Sequence, residues 1–513
     1  MQARVLRAFH QPRTLLGRWR NVCTVNKAAP RPFKDIPKTP SLPLIGSTWQ
    51  FLSPRVWNRP LYQLQFERMQ KYGVIYRDKI PVLSDYVVVH RPEDIEEIFR
   101  KGEGRYPSRF SFPPWVEVRE ELGIGRGGIL LLEEEKWFKR RAPISKFTMI
   151  PRKVAEFHED FNGTTRDLVL AMRKFREKDT NILHNVPLLL FNWSFESASF
   201  FVLGKRMGCL PDPLDAPHDC QMFIEAIGTF FRSSQELVFT LPLYKLLNTK
   251  PWRNLKDSIQ TINTNALHHI QQKLKEIKEE DLKAVGQSGG EEVPEKVDFL
   301  TYIIHSGQLS LEDIVANAVD LIGGGVDTTS MALAWTLYCL ATNPTEQGKL
   351  RAEIQSVVGT ADTVTPEHLN NMPYLRNCVK EALRLYPIIP TNNRILKEDV
   401  VLSNYHVPAG TTVFMPLTVI GRMADIFPEP LRYLPERWSH EKDRATHMFA
   451  SLPFGFGSRM CIGRRIAELE IHIALAQIIK TFEVSFPDNM PLGIKEELLN
   501  TPNRPMNLSF KDL

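Results

Sequence analysis

Residues 454–463 read Phe-Gly-Phe-Gly-Ser-Arg-Met-Cys-Ile-Gly, and an apolar helical pattern follows directly. Glycines let a backbone approach a flat ligand closely. A loop that ends at a helix N-terminus offers free N–H groups and the positive end of the helix dipole, and both favour a thiolate. Cys461 is therefore suited to bind a metal through sulfur. A thiolate so placed can serve as axial ligand to haem iron, where it pushes electron density toward cleavage of an O–O bond. Arg459, two residues earlier, is placed to meet a carboxylate of such a group. The other cysteines, Cys23, Cys209, Cys220, Cys339 and Cys378, form no Cys-x-x-Cys pair, so a zinc ribbon or thioredoxin-type site has no support.

Other residues stand at spacings that suit chemistry only if the right helices form. Gly323, Gly324 and Gly325 precede Val326-Asp327-Thr328-Thr329. Inside a helix each glycine costs about 1 kcal/mol relative to alanine, so a helix that keeps three needs a close approach or a kink there. Glu381 and Arg384 are three apart, Trp137 and Arg141 four apart, and Arg376 and Lys380 four apart. Each pair shares one helix face. Taken singly, such pairs are ordinary surface features.

The elements that must hold these residues follow from periodicity and punctuation. Residues 74–89 predict two strands around a turn, and Pro92 with the acids of PEDIEEIF predicts a helix start. Residues 134–275 are mostly helical in pattern. Residues 284–297 are polar and glycine-bearing, as in an exposed loop. A long helix is predicted over 310–342, with Ser310 and Asp313 as its capping pair, and others over 373–385 and 464–481. Residues 394–415 predict short strands. The whole is helix-rich with a smaller β-region near the N-terminus.

The formal net charge of +6 is unevenly placed. Residues 1–34 hold eight cations and no acid, which leaves 57 basic against 59 acidic residues in the body. No basic stripe with interleaved aromatics runs through that body, so no nucleic-acid partner is implied. The acid-free, arginine-rich start, with Val5, Phe9, Leu16 and Trp19 on one interrupted amphipathic face, has the composition of a mitochondrial transit peptide.

The pattern Phe-x-x-Gly-x-Arg-x-Cys-x-Gly over 454–463 resembles the cysteine loop of the cytochrome P-450 superfamily without a departure, and the resemblance runs along nearly the whole chain. It implies a mostly α haem-thiolate fold over residues 35–513, one large helical domain with a small β-rich region. It implies haem b (iron protoporphyrin IX) with Cys461 as metal ligand, and Trp137, Arg141, Arg394, Phe454 and Arg459 around the cofactor. Asp327 and Thr328 match the family's acid–alcohol pair for proton delivery. Glu381 and Arg384, with Arg437 of the PERW segment, match a buried ion-pair network that braces the haem-side loop. The implied reaction inserts one atom of O2 into an unactivated C–H bond, with two electrons arriving singly.

Within the superfamily, the transit-like start, the doubled Arg464-Arg465 after the cysteine loop, and Arg376 with Lys380 resemble the mitochondrial branch. The stretches FSFPPW (110–115), NWSFES (192–197), LNTKPW (247–252), NMPYL (371–375) and PFGFGSRMCIGRRIAELE (453–470) resemble its vitamin D 24-hydroxylase and sterol 27-hydroxylase lineage. That resemblance implies a lipophilic sterol, steroid or secosteroid substrate. It also implies an adrenodoxin-type [2Fe-2S] ferredoxin with its NADPH reductase, docking on Arg376 and Lys380, and peripheral placement on the matrix side of the inner membrane. Phe110, Phe112, Trp115, Ile322 and Thr391 are substrate-lining candidates that equally suit a plain core. Two rival functions use the same residues: a peroxide isomerase or dehydratase, against which the Asp327–Thr328 pair argues, and a haem sensor, which would bind the cofactor without turnover. Deleting residues 1–30 should leave a folded protein in the cytosol while the tagged full chain enters mitochondria. Fractionation that puts the full chain in the endoplasmic reticulum would overturn the branch assignment.

Overall fold

The computed structural model describes residues 29–43, 45–52, 59–80, 83–125, 127–238, 240, 243–285, 297–439 and 447–513. The transit segment expected over 1–34 lies outside the described residues up to position 28, as does most of the polar 284–297 stretch.

The first half runs α1 (Leu61–Tyr72), β1 (Ile75–Ile80), β2 (Leu83–Val89), α2 (Pro92–Glu97), α3 (Pro113–Glu121), α4 (Glu134–Thr148), α5 (Pro151–Ala155), α6 (His158–Phe175), β3 (Ile182–Leu183), α7 (Val186–Leu203), α8 (His218–Val238) and α9 (Lys250–Val285). The second half runs α10 (Phe299–His305), α11 (Leu311–Ala341), α12 (Pro344–Val357), α13 (Pro366–Asn370) and α14 (Pro373–Leu385). It continues with β4 (Thr391–Ile395), β5 (Val400–Leu402), β6 (Tyr405–Val407), β7 (Thr412–Pro416), α15 (Leu417–Ile420), α16 (Arg464–Thr481), β8 (Phe482–Ser485), β9 (Ile494–Glu496), β10 (Asn500–Pro502) and β11 (Leu508–Asp512).

α11 is the axis of the helical part. Ser310 caps it by accepting from the Asp313 N–H at 3.2 Å, and its 31 residues span roughly 46 Å at the helical rise. From Met331 to Ala341 every residue is buried, as expected for a helix that is apolar on all sides. α7 packs along it. α7 is long and apolar enough to cross a membrane by length and composition, but it is mostly buried inside the protein, so it is a core helix. Gly325 permits the contact between the two: a Cβ there would lie 3.2 Å from the Ala198 Cβ.

The β-region departs from the expectation that it belongs to the N-terminal part. β1 and β2 form an antiparallel pair, but β2 then pairs in parallel with β7 (Val87 with Val413), and β7 pairs antiparallel with β4 (Arg394 with Val413). The sheet order is β1-β2-β7-β4. Local pattern identifies each strand and leaves open which distant strand it joins. The consequence for the site is that β4, which carries Arg394, is fixed against strands from the other end of the chain.

α14 is held from below by one carboxylate. Glu381 is fully buried and accepts from Arg384 Nε (2.8 Å) and Nη2 (2.7 Å), Arg437 Nε (3.1 Å), Trp438 Nε1 (3.0 Å) and the Leu434 N–H (3.1 Å). Arg384 also donates to the carbonyls of Gly421, Pro430 and Arg432. A buried ion pair of this kind is costly to break, about 3–5 kcal/mol for removal of one partner, because the other charge is left uncompensated.

Candidate active site

Cys461 sits in a loop closed by its own N–H, which donates to the Phe454 carbonyl at 2.8 Å. Gly455 (φ +71°) and Gly457 (φ +74°) take left-handed conformations that L side chains disfavour. A Cβ on Gly457 would also come within 2.6 Å of Glu103 Oε1. Gly463 is the N-cap of α16. Cys461 is exposed by surface area, yet burial pushes its thiol above the ordinary value, opposed by the Gly463 N–H and by Arg141 and Arg464. A sulfur that is both accessible and desolvated faces an enclosed space rather than bulk water. Gly324 of α11 has the same character. It is exposed in the middle of a core helix, and a Cβ added to it, to Gly323 or to Gly463 would meet nothing within 4 Å.

Positive charge surrounds this space. Arg459 stacks over the Trp137 ring, its guanidinium carbon 4.4 Å from the centroid, and Arg141 approaches the same ring at 5.4 Å. Arg141 Nη2 donates to the Met460 carbonyl at 2.7 Å. Burial depresses Arg459 to about 9 and Arg141 to about 10, and for Arg459 the cations Arg109, Arg394 and Arg141 add to the effect. Guanidinium groups remain charged at neutral pH, so each is a buried charge, and neighbouring cations add to the cost of its burial. Arg459 Nε and Nη1 are buried without a hydrogen-bond partner. Two anionic carboxylates beside a sulfur ligand would answer both the charge and the orphan donors, and a haem with its propionates supplies that set. The residues present therefore fit the group.

Arg394 is already engaged. Its Nε pairs with Glu103 at 2.7 Å, and its Nη1 donates to Asn392 Oδ1 and the Asn393 carbonyl. It contributes field to the site while its donors are largely taken. The Phe454 ring lies 5.7 Å from the Arg464 guanidinium.

On α11, Thr328 Oγ1 donates back to the Gly324 carbonyl at 2.7 Å, which diverts a backbone acceptor at the glycine-weakened turn. Asp327 is buried, and burial raises its carboxyl from 3.8 to about 7, opposed by Arg232 of α8. A group half-protonated at neutral pH can give and take a proton.

Of the substrate candidates, Ile322 and Phe112 are buried, and Phe110, Trp115 and Thr391 half-buried. Trp115 Nε1 donates to Ser234 Oγ of α8 at 2.7 Å, joining α3 to α8. On α14, Lys380 is exposed, while Arg376 is half-buried and donates to the carbonyls of Leu369 and Asn370. His472 of α16 lies beneath both: burial lowers it to about 3, and Arg376 and Lys380 add to the effect.

Arg109, Glu133 and Arg232 belong to this site and were not singled out from sequence. Arg109 directly precedes FSFPPW, and Glu133 sits in an acidic run that reads only as a helix start. Their partners lie far along the chain, so no local pattern marks them.

Residues 37–510 match the family model described as Cytochrome P450. Among curated proteins the chain is similar to "Cytochrome P450 27C1" of Danio rerio (30% identical over 93% of this chain and 87% of that protein). It is 32% identical to "Cholesterol side-chain cleavage enzyme, mitochondrial" of Capra hircus, over 95% of this chain and 91% of that protein. It is 31% identical to "1,25-dihydroxyvitamin D(3) 24-hydroxylase, mitochondrial" of Rattus norvegicus, over 93% and 89%.

The raised Asp327 carboxyl has a thermodynamic signature. Between pH 3.8 and about 7 the folded chain binds more of this proton than the unfolded chain, so stability falls as pH rises through that window. Asp327→Asn should remove that component, and its denaturant midpoint should gain on the parent's from pH 5 to pH 8. Parallel pH dependence of the two proteins would show that Asp327 titrates normally.

Proposed function

The chain belongs to the cytochrome P450 family and is a monooxygenase, and from that premise we propose that it is a mitochondrial enzyme hydroxylating a sterol, steroid or secosteroid with electrons from an adrenodoxin-type ferredoxin. The observation that carries the site assignment is the exposed but desolvated Cys461 beside a crowd of buried guanidiniums with orphan donors. Haem b, bound there through the Cys461 thiolate, supplies the oxygen-activating chemistry.

The chain's own residues do the rest. Arg459 and Arg141, stacked on Trp137, hold the cofactor's carboxylates, with Arg394 adding positive field. Phe454 covers the cysteine side. The Gly463 N–H and the N-terminus of α16 stabilise sulfur as thiolate. Glu381, Arg384 and Arg437 touch no reacting group and brace the loop. The bare Gly323–Gly324 turn would leave room beside the bound group for oxygen and substrate. Thr328, held by its bond to the Gly324 carbonyl, orients there, and Asp327 holds the proton that the reduction of oxygen consumes. Phe110, Phe112, Trp115, Ile322 and Thr391 supply the apolar walls and exclude water from the reacting carbon.

Substrate class and location rest on the relatives, whose names include cholesterol side-chain cleavage and vitamin D hydroxylation and the word mitochondrial. Peripheral contact with the inner membrane from the matrix side is supported by Leu243, Leu246 and Leu247, which are 48%, 82% and 67% exposed beside Lys245 and Lys250. Such amphipathic surface suits an anionic lipid interface.

Cys461→His should retain some haem but lose the strongly red-shifted Soret band of the reduced carbonyl complex, which requires a thiolate ligand. Persistence of that band would remove Cys461 as the ligand. For electron supply, the exposed Lys380 is reversed in charge as Lys380→Glu, which leaves the Arg376 bonds to the α13 carbonyls in place. It should slow ferredoxin-driven turnover several-fold at low ionic strength and less at high, with an unchanged carbonyl spectrum. Equal rates for variant and parent, or turnover by the parent only with a diflavin reductase, would refute the partner.

A further inference from the structure

Glu133, the residue before α4, uses one carboxylate to join three segments. Its Oε2 lies 3.0 Å from Arg459 Nη2 and accepts from the Arg109 N–H at 3.1 Å, and its Oε1 accepts from Ser111 Oγ at 3.1 Å. The next residue, Glu134, has φ +54°, a left-handed conformation that costs energy for any L side chain. Its carboxylate pairs with Lys397. From the other side, Ser108 accepts the Ile395 N–H at 2.9 Å, and the Phe110 N–H donates to Asn393 Oδ1 at 2.7 Å. Segment 108–111 is thus gripped between the start of α4 and strand β4, with local strain retained at the grip.

That segment leads directly into α3, which packs on α8. Phe112 meets the Trp115 ring edge-on at 5.8 Å, Trp115 lies 5.0 Å from Phe230 of α8, and its Nε1 donates to Ser234 of the same helix. A continuous line of contacts therefore runs from Arg459 through Glu133 to α3 and α8.

We propose that Glu133 is a positioning residue that couples the hold of Arg459 on a cofactor carboxylate to the seating of α3 on α8. The coupling rests on the reading that Arg459 holds the cofactor. Arg459 has Glu133 and the Leu132 carbonyl on Nη2, and its Nε and Nη1 are free of partners. A carboxylate arriving on either of those donors shares the guanidinium with Glu133, the same group that fixes Arg109 and Ser111. A change in either bond shifts the other, and because coupling free energy is reciprocal, loosening α3 from α8 must alter cofactor retention.

The test is a double-mutant cycle read by haem transfer from the ferric holoenzyme to excess apomyoglobin, in the parent, Glu133→Gln, Ser234→Ala and the double variant. Glu133 is partly exposed and glutamine preserves its size, and Ser234→Ala removes one hydroxyl, so both proteins keep the fold. In the parent background Ser234→Ala should speed haem release about threefold to tenfold, the scale of one net hydrogen bond. In the Glu133→Gln background it should change release by less than about 1.5-fold, because the connection is already cut. Amide exchange in 108–112 should follow the same pattern. Arg459→Gln serves as the reference and must itself speed release. If it does, and Ser234→Ala acts equally in both backgrounds or not at all in the parent, the coupling is overturned and the cofactor reading stands. If Arg459→Gln leaves release unchanged, both fall.

Discussion

A single carboxylate with no access to solvent, Glu381, takes five hydrogen bonds from Arg384, Arg437, Trp438 and the Leu434 backbone. An ion this deep is tolerable only when every lone pair is occupied, so each donor must arrive from its own segment in the correct geometry. The segments so fixed are α14, the turn around Gly421, the strand-free stretch at 430–434 and the short helical turn Pro435–Trp438. The loop that presents Cys461 follows that stretch in the chain.

The opposite side of the site obeys another constraint. A space has to stay open beside the middle of a densely packed helix pair, and packing forces favour filling it. Glycine at 323 and 324 leaves it clear, while Gly325, one residue on, removes a side chain so that α7 can close in. The three positions thus do two jobs within one turn. Charge keeps the other wall in place: Arg109, Arg141, Arg394 and Arg459 repel one another, and Glu103 and Glu133 are the carboxylates that restrain two of them.

Short-range pattern carries much of this architecture. The helices expected over about 373–385 and 464–481 form over Pro373–Leu385 and Arg464–Thr481, because proline and glycine act within a few positions. The pairing of Trp137 with Arg141 is legible for the same reason. What is not legible has a partner too distant for any periodicity to register. Glu103 meets Arg394 across 291 positions, and Ser111 meets Glu133 through a loop that no pattern specifies. The β-region shows the same limit, since alternation marks β2 as a strand but says nothing of β7. Arg376 adds a different lesson: a cation assigned by helix-face spacing to partner docking spends part of its side chain on the carbonyls that end α13.

The parallel pairing of Val87 with Val413 sets an order of events in the life of the chain. Parallel strands need a crossover, and here the crossover contains nearly all the helices. During synthesis at about 5–20 residues per second, β2 waits many seconds beside a bare edge before its neighbour exists. Closure of that long loop comes late, and contacts of such separation slow folding. The helical body can condense first, leaving the wall that carries Arg394 ajar. The wall that carries Arg394 therefore depends on a closure that spans most of the chain, and its rigidity is decided by contacts far from it in sequence.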